Sequence, residues 1–69
     1  MHREQAEQYS GRVTGFQLEL DKLRSVLRQE NDVLSRTDRK RFAYVNALKA
    51  VDHANEGLGE LLQTLKELV

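Results

Sequence analysis

The chain has 69 residues, with eleven Lys/Arg against eleven Asp/Glu, 39 % apolar and 32 % charged residues, and no Pro, Cys or Trp. This balance fits one small, charge-rich helical domain; it argues against a disordered tail, a β-sandwich and a purely electrostatic grip on nucleic acid or membrane. Without cysteine there is no disulfide framework and no thiolate metal site.

No apolar run approaches the roughly 18 residues needed to span a bilayer. The opening Met1-His2-Arg3-Glu4-Gln5 is polar and lacks the apolar stretch of a signal peptide, so a cytoplasmic protein is expected.

In the first half, Tyr9, Val13, Phe16, Leu20, Leu23, Leu27 and Leu34 follow a 4-3-4-3-4-7 spacing, with Glu30 at the skipped step. Alternating threes and fours put these side chains on one face of an α-helix, expected over residues 10–34. Gly11 and Gly15 lie early in it, and each costs roughly 1 kcal/mol of helix propensity against alanine. Two readings follow. Either residues 1–14 are frayed and the helix starts near Gly15, or the helix starts earlier and Gly15 faces Gly57 across a close approach of the two backbones.

Ser35-Arg36-Thr37-Asp38 is the cluster of cap-type residues in mid-chain and is expected to be the turn, with Thr37 or Asp38 accepting free N–H groups of the next helix. A loop this short makes the flanking helices antiparallel neighbours.

From Tyr44 the spacing resumes through Leu48, Val51, Asn55, Leu58, Leu62, Leu65 and Val69, giving a second helix over residues 38–67. The expected fold is therefore all-α: an antiparallel two-helix hairpin filling residues 1–69.

The apolar face is wider than one seam needs. Ala47, Ala54, Leu61 and Leu68 form a further row spaced by seven, and Val26 and Val33 do the same in the first helix. A face two rows wide implies more helices against it, completing a bundle with a partner or by dimerisation. A hairpin this small, with no disulfide or metal, rarely buries enough surface for more than a few kcal/mol of stability. Leu18 and Phe42 fall off the stripe and are expected to be exposed. Asn55 and Glu30 interrupt it, either to fix register or because the seam faces water there.

The sequence offers little catalytic chemistry. Asp52, His53 and Glu56 lie close on one helix but lack the paired i,i+4 histidines of a zinc helix, and His53 reads as a solvated surface residue. There is no nucleophile with a matching base and no glycine-rich phosphate loop. Neither an enzyme nor a cofactor is expected.

Charge is unevenly placed. Residues 36–49 sum to +4, through Arg36, Arg39, Lys40, Arg41 and Lys49 against Asp38, whereas residues 50–69 sum to −3. A basic knot at a helix start opposes the helix dipole, so folding gains nothing from it. It reads as a solvated turn, as a contact for an acidic protein, or as a phosphate contact of the kind made by the small homodimeric plasmid copy-number (ROP-like) bundles that bind RNA.

The stretch Leu23-Arg24-Ser25-Val26-Leu27, then Leu34, the polar turn, Phe42/Tyr44, and the end Glu56-Gly57-Leu58-Gly59-Glu60-Leu61-Leu62-Gln63-Thr64-Leu65 resemble the needle-subunit co-chaperones of bacterial type III secretion (the YscE type). The likeness covers roughly residues 20–66. Glu30, Leu34, Asp38, Phe42, Val45 and Lys49 also resemble the flagellar export chaperones of the FlgN type, whose chains are longer.

The resemblance implies a non-catalytic cytoplasmic protein that lays its apolar face on a larger helical-repeat chaperone and helps keep a needle subunit soluble before export. Leu58, Leu61, Leu62 and Leu65 are then the expected interface, with Leu20, Leu23 and Leu27 either completing that face or forming the intrachain core. The alternatives are a homodimeric four-helix bundle, RNA-binding through Arg36, Arg39, Lys40 and Arg41, or a small inhibitor of a host protein.

Overall fold

The computed structural model describes all 69 residues and contains two helices, α1 over Arg3–Asp32 and α2 over Lys40–Glu67, with no strand. They run antiparallel as a rod whose Cα trace extends 52 × 15 × 10 Å. The all-α hairpin is as the heptad spacing predicts.

Its boundaries differ from the expected ones. α1 starts at Arg3, not near residue 10 or Gly15, so residues 3–14 are helical and not frayed. The reason is packing: Ala6 and Val13 are buried, as are Val51 and Leu65 of α2, so the first turns of α1 lie against the last turns of α2. Burial of that kind outweighs the propensity cost of Gly11 and Gly15. Gly15 and Gly57 make no close approach, since a Cβ on either would meet nothing within 4 Å.

The connection spans residues 33–39, longer than the expected 35–38. α1 ends at Asp32, where the Leu34 N–H still donates to the Asn31 carbonyl at 3.1 Å. Of the two expected caps, Asp38 serves: its Oδ1 accepts the Lys40 N–H at 2.9 Å. Thr37 instead shares a hydroxyl hydrogen bond with Ser35 at 3.1 Å. Half-buried Arg41 donates from its guanidinium to the Leu34 carbonyl at 3.2 Å, tying α2 to the end of α1.

In α2 the seam is the expected one except at its end: Tyr44, Leu48, Val51, Asn55, Leu58, Leu62 and Leu65 are buried or half-buried, whereas Val69, past the end of the helix, is exposed. In α1 it is rotated. The covered residues there are Ala6, Ser10, Val13, Gln17, Leu20, Arg24, Leu27, Asn31 and Leu34. The row Val13, Leu20, Leu27, Leu34 is shared with the expected stripe, but its companion row is Ser10, Gln17, Arg24, Asn31 in place of Tyr9, Phe16, Leu23, Glu30. Polar pairing accounts for the rotation. The Asn55 amide donates to Asp21 Oδ1 at 3.3 Å, and Arg24 Nε stands 3.1 Å from Asp52 Oδ1. With Leu23 in the seam, Asn55 would face Leu20 and Leu23 and find no polar partner at its level.

A candidate docking face

The contacts that join the helices also define two unlike sides of the hairpin. Asp21 with Asn55, Arg24 with Asp52, and Gln17 beside Gly59 all fall on one side. In each contact one partner lies in the seam (Asn55, Arg24, Gln17) and the other (Asp21, Asp52, Gly59) flanks it, in the same rotational direction on both helices. The flank in the other direction therefore faces the opposite side of the hairpin on both helices. That flank is Tyr9, Phe16, Leu23 and Glu30 on α1, and Ala47, Ala54, Leu61 and Leu68 on α2.

The second side is apolar and open. Phe16 is 60 % exposed, Leu23 46 % and Leu61 44 %, and Tyr9 and Leu68 are about as accessible. Beyond them lie Arg12, Glu19, Val26 and Val33 on α1, with the Arg12 guanidinium 5.4 Å from the Tyr9 ring centroid, and Ala43, Ala50 and Gly57 on α2, all exposed. Between the two open rows run Val13, Leu20 and Leu27 of α1 and Val51, Leu58 and Leu65 of α2. Apart from Glu30 at the turn end of the α1 flank, the face is thus four apolar rows across, where packing of α1 on α2 uses only the inner two. No glutamate or lysine of α2 interrupts it between Ala43 and Leu68: positions 43, 47, 50, 54, 57, 61, 64 and 68 are Ala, Ala, Ala, Ala, Gly, Leu, Thr and Leu.

Of the seven leucines expected at an interface, five serve the hairpin itself: Leu20, Leu27, Leu58, Leu62 and Leu65 are buried or half-buried in the seam. Leu23 and Leu61 are on the open face. Sequence reasoning did not single out Tyr9, Phe16 and Leu23 as an outward row. The signal for it was the polar heptad row Ser10, Gln17, Arg24, Asn31, whose Arg24 meets Asp52 of the facing helix, while Asp21 beside that row accepts from Asn55.

No known protein family, characterised protein or solved structure matches this chain. The face therefore has to be interpreted from its own chemistry.

Elsewhere the surface is dispersed. Arg36, Arg39 and Lys40 are exposed at the turn, but Arg41 is held by its bond to the Leu34 carbonyl, so the expected basic cluster presents three free cations and not four. Phe42, 78 % exposed, and Leu18, 58 % exposed, stand off the open face as expected. Asp52 is paired with Arg24, His53 and Glu56 are exposed, and no group of three or more His, Cys, Asp or Glu side chains is placed to hold a metal ion. No helix is long and apolar enough to cross a membrane.

Proposed function

We propose that the protein is a non-catalytic docking module that completes a helical bundle with helices of another polypeptide chain. The observation that carries this reading is the sidedness of the hairpin: polar cross-links on one side, a four-row apolar face on the other. An amphipathic helix pair exposing such a face gains about 25 cal/mol for each Å² of apolar surface it buries, before ordering costs. Helices packed at shallow angles offer matching rows for it.

The secretion co-chaperone role implied by the resemblance is the specialised form of this reading. There the completing helices belong to a larger helical-repeat chaperone, and the complex keeps a needle subunit from polymerising. The decisive residues would be Leu61 and Leu23 on the open face; Leu58, Leu62, Leu65, Leu20 and Leu27 would support it from the seam.

The test is co-expression with the export chaperones encoded by the same genome. Wild-type protein should co-purify with one of them, and Leu61→Glu should not, while its far-ultraviolet circular dichroism stays helical. Equal recovery of wild type and Leu61→Glu in that complex removes the assignment of the face.

A further inference from the structure

We infer that the occupant of the open face in the free protein is a second copy of the same chain, laid head to tail with the turn of each hairpin against the helix ends of the other. This rests on the docking reading and names the partner. Three observations point to it.

The first is area. A folded monomer of 8.0 kDa exposes about 4,500 Å² by the usual scaling of surface with mass. This hairpin exposes 5719 Å² and buries only four residues. The difference, roughly 1,200 Å², exceeds the roughly 800 Å² that each partner contributes to a stable interface.

The second is shape. Both outer rows of the face shrink toward the turn: Tyr9, Phe16, Leu23, Glu30 along α1, and Leu68, Leu61, Ala54, Ala47 along α2. The Asn55–Asp21 and Asp52–Arg24 contacts fix which residues are level, so Phe16 stands near Leu61 and Leu23 near Ala54. The face is therefore a wedge, bulky where the helices end and slight near the turn. A two-fold axis across the middle of the rod sets the bulky half of each copy on the slight half of the other. It brings Phe16 and Leu61 over the partner's Ala54 region, and the Tyr9 phenol to the level of the partner's Glu30, whose carboxylate can accept a hydrogen bond from the hydroxyl. Any unrelated partner would need a complementary wedge; the second copy has one by symmetry.

The third is charge. Residues 24–49, around the turn, sum to +4 and the rest of the chain to −4. A turn-to-turn arrangement would press two +4 ends together. The head-to-tail arrangement separates them by most of the 52 Å rod, well beyond the Debye length of about 8 Å at physiological salt.

The experiment is light scattering on the full chain over a tenfold concentration range, paired with a distance measurement between spin labels on Thr37→Cys. A dimer of twice the 8.0 kDa chain mass, with labels on the order of 45 Å apart for two turns at opposite ends of a 30-residue helix length, is the expected result. Phe16→Glu/Leu61→Glu and, separately, Ala50→Arg should each give a helical monomer; the second changes an exposed alanine, so it tests the face without touching the seam. A monomeric wild type overturns the second copy as occupant and leaves the docking reading to its own co-purification test. A dimer that survives both face variants overturns the docking reading with it. A dimer with labels closer than about 20 Å, under half that helix length, overturns the head-to-tail arrangement.

Discussion

Arg24 and Asp52 meet at 3.1 Å between their Nε and Oδ1 atoms, on the side of the hairpin opposite Phe16 and Leu61. The pair sets which flank of each helix is polar and leaves the other flank of both helices apolar. Its Nε–H is not aligned on the carboxylate, so the contact is electrostatic more than a directed hydrogen bond. Both side chains are partly exposed, so its energetic weight is small. Asp52→Asn is expected to lower stability by no more than about 1 kcal/mol, and by less at high salt, where surface pairs are screened. Urea midpoints of wild type and variant at low and high salt check this; a loss that does not shrink with salt would assign Asp52 a different role.

Leu65 and Leu18 are both leucines on long helices, but only Leu65 is buried. Leu65→Ala should cost about 2–4 kcal/mol through lost burial and the cavity left behind. Leu18→Ala should stay within about 0.5 kcal/mol of wild type. Equal losses in chemical denaturation would mean that Leu18 is covered in solution.

Gly11 and Gly15 are helical with open space around the position of a Cβ. Replacing either with alanine should raise stability by about 0.5–1 kcal/mol, partly by restricting the unfolded chain. Thermal unfolding followed by circular dichroism measures it. A destabilised Gly15→Ala would show that something covers that position in solution.

Asp38 starts α2 through its bond to the Lys40 N–H, whereas Thr37 bonds only to Ser35. Asp38→Ala should therefore cost about 1 kcal/mol, the usual value of an N-terminal cap. Thr37→Ala should cost only a few tenths. The two substitutions are adjacent in sequence, so unequal unfolding midpoints isolate the cap from any general effect on the turn.

Much of this architecture was legible in the residues. The seam of α2 from Tyr44 to Leu65 has unbroken three-four spacing, and the Ser35–Asp38 cluster marks the turn region, because both are local consequences of helix geometry and backbone capping. The surplus row Ala47, Ala54, Leu61, Leu68 also showed that one face is wider than a hairpin needs. In α1 the same logic had two solutions. Val13, Leu20, Leu27 and Leu34 belong to both, and propensity could not choose between Tyr9, Phe16, Leu23 and Ser10, Gln17, Arg24, Asn31 as the companion row.

Local sequence determined that there are two helices, that they are antiparallel, and which face of α2 is apolar. Only the tertiary structure decided the rotation of α1 and the helicity of residues 3–14. The rotation goes with contacts between groups far apart in sequence, Asn55 with Asp21 and Asp52 with Arg24, which local helix geometry cannot foresee. The early turns of α1 hold because Ala6 and Val13 are buried in the packed pair, an energy that exists only once α2 has folded back along them.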